Sequence, residues 1–167
     1  MNPLDACPNA LPFNDSVFGS VSRRLAKAVF ARLPKLRRHA FVVQSEDEPD
    51  GLTLVIRVQP PCGATDRPMA IWVCQGNPSI GYGPEHTHEC PTDRGIAWVV
   101  DWAAAILRDD VVIMQDFGWV ADEGAWIDLR KPDALLEELT HPCSSGRIRL
   151  RTWSGWGDRE VCLADFT

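Results

Sequence analysis

The stretch Gly81-Tyr82-Gly83-Pro84-Glu85-His86-Thr87-His88-Glu89-Cys90-Pro91 concentrates the reactive side chains of this chain. It holds two of the four histidines, one of the six cysteines, two carboxylates and the only tyrosine. A proline pushes the residue before it toward extended geometry, here Gly83 and Cys90. Residues two apart share a face of an extended segment. If the stretch is extended throughout, His86, His88 and Cys90 lie on one side, with Glu85, Thr87 and Glu89 on the other. Two imidazoles and a thiolate suit zinc, and three protein ligands would leave the open position that a catalytic zinc needs. Glu85 or Glu89 would then serve as base toward a metal-bound water.

A plainer expectation competes with this one, and the sequence favours it. Structural zinc sites bring paired ligand spacings, and no second pair accompanies His86 and His88. His39 and His141 have no partner spacing, and H-E-x-x-H is absent. The histidines then belong to a polar loop, hydrogen-bonded to backbone or to Glu85 and Glu89, and no cofactor is expected. Nucleophilic catalysis has no signature either, since G-x-S-x-G is missing and no cysteine is singled out by a partner. Asp116-Phe117-Gly118 matches the kinase metal triplet but lacks the glycine-rich loop and H-R-D that give it meaning. Gly81-Tyr82-Gly83 lacks the third glycine of a dinucleotide loop, and Pro84 interrupts the amide cradle.

The elements that must position this stretch can be read from periodicity. Residues 1–14 form an irregular lead-in. Phe18, Val21, Leu25, Ala28, Val29 and Leu33 recur at helical spacing, and Pro34 ends or kinks that helix. His39–Gln44 reads as a strand, and the acidic turn Glu46–Gly51 follows it. Leu52–Gln59 alternates at strand period. Met69–Val73 and Ser79–Gly83 are further strands, joined by a turn at Gln75–Pro78. Thr92 caps a second, very apolar helix carrying Ile96, Val99, Ala103 and Ile106, with Trp98 and Trp102 one turn apart. Val111–Met114 is a buried strand. Pro132 opens a short helix with Leu135, Leu136 and Leu139. A C-terminal hairpin follows, with Arg147, Arg149 and Arg151 on one face and a turn at Ser154–Asp158. Consecutive strands followed by helices predict a single α+β domain over 1–167, with a mostly antiparallel sheet.

Charge and composition narrow the partners. The chain is −6 overall, but Ser16–His39 carries seven basic residues and no acidic one, leaving the remainder at −13. The basic segment reads as a solvated helix face, so nucleic acid is not the expected partner. The acidic remainder would attract a basic protein and speed encounter. Seven tryptophans stand against one tyrosine. Most should fill the core, and those at the surface would anchor a partner. The six cysteines are dispersed, with no C-x-x-C and no basic-then-apolar start at Met1, which leads us to expect reduced thiols and a cytoplasmic protein. No run approaches the roughly 18 apolar residues of a membrane span.

The segment Gly81, Tyr82, Gly83, His86, Thr87, His88, placed after a meander and before an apolar helix, resembles small bacterial proteins with a G-Y-G-x-x-H-T-H segment. The likeness covers roughly residues 50–116. Some proteins of that kind are immunity partners of secreted toxins, so the resemblance implies protein binding rather than catalysis. The expected function is therefore a cytoplasmic interaction module, of the immunity-protein kind, that binds a basic partner. Its expected binding residues are Tyr82, Glu85, His86, His88, Glu89, Trp119 and Trp156. The alternative is a small metal-dependent hydrolase or metal-binding protein that uses His86, His88 and Cys90.

Overall fold

The computed structural model describes residues 11–12 (backbone only), 19–45, 51–117, 124–141 and 144–166. The fold is α+β, with two antiparallel sheets rather than one. The residues fall into two compact units. The first comprises 1–58, 68–81 and 86–104, and the second 59–67, 82–85 and 105–167. The acidic turn at Glu46–Asp50 lies outside the described residues.

The first unit opens with β1 (Leu11–Pro12) and α1 (Ser20–Arg32), which passes through Leu33 into a 3₁₀ turn at Pro34–His39. Proline cannot continue an α-helix because it lacks the N–H and clashes with the preceding turn, so the helix ends at Arg32, two residues before Pro34. The meander follows as β2 (Ala40–Gln44), β3 (Leu52–Val58), β4 (Met69–Cys74), β5 (Asn77–Tyr82) and β6 (Glu85–His88), and the six strands lie in sequence order. Ser22, Leu25, Ala26 and Val29 are the buried residues of α1, at spacings of three and four, and α1 lies against β3 and β4. On β3, Leu54 and Ile56 are fully buried. Val55, which points the other way, joins Ala70 and Trp72 in a second apolar cluster bordered by Phe41, Val43 and Cys74. The sheet thus carries apolar side chains on both faces. Next comes α2 (Asp93–Ile106), where Thr92 Oγ1 accepts from the Gly95 N–H at 3.1 Å, the cap expected from the sequence. Trp98 and Trp102 stack along it with ring centroids 4.8 Å apart.

The second unit is built on β7 (Val111–Asp116), β8 (Ala125–Asp128), α3 (Ala134–Thr140), β9 (Arg147–Arg151) and β10 (Arg159–Cys162). The strand order is β10-β9-β7-β8, so β7 does not extend the meander. It pairs instead with β8 and with the C-terminal hairpin, and that is why a second sheet forms where the sequence suggested one. Val112, Met114, Ile127, Ile148, Leu150 and Val161 form its core with Leu139 of α3. Burying a side chain such as Leu139 contributes roughly 1.5–3 kcal/mol, so a helix of seven residues depends on this face for its existence. Buried Asp116 at the end of β7 accepts from Ser144 Oγ at 2.6 Å and from the Ser145 N–H at 3.0 Å, which fixes the approach to β9.

The turn between β5 and β6 requires Gly83. Its φ is +64°, and a Cβ there would collide with the Ile113 side chain. Gly83→Ala should therefore destabilise the protein by about 1–3 kcal/mol, read as a lower urea midpoint with an unchanged m-value.

Candidate functional site

Strand β6 is the extended part of the stretch and its burial alternates, but Gly83, expected to be extended before Pro84, instead turns the chain at φ +64°. Glu85 and Thr87 are half-buried, whereas His86 and His88 are exposed. The two rings meet edge to face at 5.1 Å between centroids. Buried Trp72 of β4 lies 6.0 Å from His86 and 6.2 Å from His88, so the three rings form one patch on the sheet. Ser79 Oγ is 2.7 Å from His88 Nδ1 and donates to the Asn77 carbonyl at 3.0 Å. A hydroxyl has one proton, so the arrangement that satisfies both contacts has His88 Nδ1–H donating to Ser79 Oγ. That tautomer leaves the His88 Nε2 lone pair unused.

The strand ends at His88, and the Glu89 N–H donates to the Pro78 carbonyl at 2.8 Å. Cys90 is an exposed free thiol beyond the strand. Among the described residues no three His, Cys, Asp or Glu side chains gather into a metal-holding group. The expected His86–His88–Cys90 set is thus brought together as a pair of imidazoles without the thiol. Tyr82, expected among the binding residues, is a core side chain with 0% exposure. Its hydroxyl donates to the Arg151 carbonyl at 3.3 Å, and its own carbonyl accepts from Trp126 Nε1 at 3.0 Å. Burial pushes its phenol well above the usual tyrosine range. Trp119 lies outside the described residues.

Trp156 has the opposite environment, with 93% of its surface exposed. It sits at the tip of the β9–β10 turn, between buried Trp153 and Asp158. The turn is bound tightly to its own unit. Asp109, held at φ +63° just after α2, accepts from the Ser154 N–H at 2.8 Å and from the Ser154 hydroxyl. Ser154 Oγ in turn accepts from the Trp156 N–H at 3.1 Å. Asp158 Oδ1 accepts from the Thr152 N–H at 2.8 Å and from Thr152 Oγ1 at 3.2 Å, while Thr152 Oγ1 accepts from the Gly157 N–H at 3.1 Å. Gly155 has φ +80°, and a Cβ would stand 2.8 Å from Cys62 Cβ. These bonds hold the backbone of the turn, so a partner would have only the indole's own rotamer to order. The sequence offered Trp156 as a candidate. Nothing local in the sequence marks Asp109, a carboxylate that acts on a turn 45 residues away.

Charge divides between the units. By sequence, the first unit has nine basic and nine acidic side chains, so the cationic α1 segment is balanced within it. Arg24, for instance, bonds the Pro91 carbonyl at 3.1 Å and Asp93 at 2.6 Å. The second unit has fourteen acidic and eight basic side chains and carries the whole surplus. On its hairpin, Arg147 and Arg149 both bond Glu160 of the neighbouring strand, at 2.5 and 3.1 Å. Both guanidiniums also lie over the Phe117 ring, 4.5 and 5.2 Å from its centroid. Among the described residues no helix is long and apolar enough to cross a membrane. Comparison with family models, curated proteins and solved structures finds no match to this chain.

Desolvation, and then the nearby His86 ring, lower the His88 pKa below its ordinary 6.5. The neutral ring is thus the form the fold favours. Stability from this group should be complete above pH 6.5 and decline as pH falls through that value toward the lower folded pKa. Ring-proton NMR should place the His88 midpoint below 6.5, and His86→Ala should raise it.

Proposed function

We propose that this chain is a cytoplasmic protein-interaction module that binds a basic protein, with Trp156 as the anchor. The observation that carries the reading is the 93% exposure of that indole on a turn held at both ends by aspartates. Water gains little from such a surface, and a partner pocket that buries it gains a hot-spot contact. The acidic surplus of the same unit supports a basic partner, since opposite charge steers encounter. Asp133 and Glu137 are exposed around α3 and contribute to that field. Cys62, Cys74, Cys90 and Cys162 are free thiols, which fits a reducing compartment.

The test pairs affinity with stability. Trp156→Ala should weaken a purified partner by about 2 kcal/mol or more, near thirtyfold, while leaving the unfolding midpoint within about 0.5 kcal/mol of wild type. The association rate should also fall as salt rises. A partner captured equally well by wild type and Trp156→Ala would remove the anchor.

A second reading rests on the paired imidazoles of β6, with the unused Nε2 of His88. Two adjacent rings on one exposed face could hold a zinc or copper ion with water completing the shell. Equilibrium dialysis against zinc should then show about one equivalent, abolished in the His86→Ala/His88→Ala variant. Equal zinc retention by the two proteins would end that reading.

A further inference from the structure

A cavity of about 370 Å³ opens in the second unit beside the turn that carries Trp156. Four arginines line it, Arg67, Arg149, Arg151 and Arg159, together with three carboxylates. Those carboxylates are already engaged. Asp66 pairs with Arg151, Asp158 holds Thr152 and lies against Arg67, and Glu160 bonds Arg147 and Arg149. The arginines are not exhausted in return. Arg159 is exposed and has no ion pair among the described residues. Arg67 is 8% exposed, and its Nε has no hydrogen-bond partner. Nη1 pairs with Asp158 Oδ2 at 2.7 Å, whereas Nε stands 3.9 Å from Asp66 Oδ1, beyond hydrogen-bond distance.

A guanidinium brings five N–H donors and no acceptor. Buried donors are almost always satisfied, and one left without a partner calls for a reason. Here four guanidiniums face three carboxylates, so the lining carries one surplus positive charge together with donors not used within it, and a group that brings acceptor oxygens suits it. Planar guanidinium forks match carboxylate and phosphate geometry better than an ammonium does. The volume falls in the range of small-molecule sites rather than of a single water.

We propose that this cavity binds a small molecule through an oxyanion, phosphate or carboxylate, whose oxygens accept from buried Arg67 and exposed Arg159. The site is separate from the partner contact of Trp156 and does not depend on it. Its nearness has one consequence, because Asp158 serves both the cavity and the turn.

Calorimetric titration tests this with two probes, inorganic phosphate and citrate, in a buffer that contains neither. The wild-type protein should give saturable binding with at least one of them, and the probe that responds identifies the class of oxyanion. Arg159→Gln removes an exposed donor without touching the fold, so its melting temperature should stay unchanged while affinity falls at least tenfold, about 1.4 kcal/mol. Arg67→Lys keeps the charge but loses the fork, and it should weaken binding similarly even where the protein remains folded. Absence of saturable heat from both probes would overturn the site. Undiminished affinity in Arg159→Gln would also overturn it, since the anion would then lie elsewhere, for instance among the cations of α1.

Discussion

The Asp158 carboxylate joins two parts of the second unit that lie far apart in sequence. One oxygen accepts from the Thr152 N–H and hydroxyl and so closes the β9–β10 turn, while the other lies against the Arg67 guanidinium. A charged acceptor makes stronger hydrogen bonds than a neutral one, and a partly buried one is screened less by water. Asp158 also sits two residues from Trp156, so the position of the indole and the position of the buried arginine are set by the same group. Asp109 supplies the second tether through Ser154. With both in place the turn has no need of an apolar core of its own, and its tryptophan can face outward.

Local features of this fold could be read from the sequence because local physics decides them. Pro34 stops α1, Thr92 caps α2, and the alternation of β9 follows from the two-residue period of a strand, whereas β3, covered on both faces, is buried at four successive positions. The alternation of His86 and His88 against Glu85 and Thr87 came from the same rule. Long-range features could not be read this way. Whether Tyr82 faces water or core depends on Trp126, Trp153 and Arg151, all far along the chain, so its chemistry-rich neighbourhood was no guide. Seven tryptophans look alike in a sequence, and only the packing separates buried Trp72 and Trp153 from exposed Trp156. Arg67 meets Asp158 across 91 positions, with no motif to announce it.

Net charge behaved in an intermediate way. The sequence gives the sign and size of the imbalance but not its distribution in space. The basic run of α1 belongs to a unit whose nine basic and nine acidic side chains balance, and the surplus of acid falls in the other. A field that looked like a contrast between one helix and the body of the chain is a property of the Trp156-bearing unit.

The His86–His88 strand has a further role that concerns assembly rather than chemistry. β6 is the last strand of its sheet, so one of its edges carries backbone groups that no neighbour in that sheet can use. Such an edge invites a foreign strand to add on. Here it is four residues long, is preceded by Pro84 and followed shortly by Pro91, and begins with Glu85 and is followed by Glu89. A stray β-segment would find a short template, two positions that cannot donate, and negative charge at either end. The residues that most resemble a reactive centre thereby also guard the molecule against fibrillar stacking.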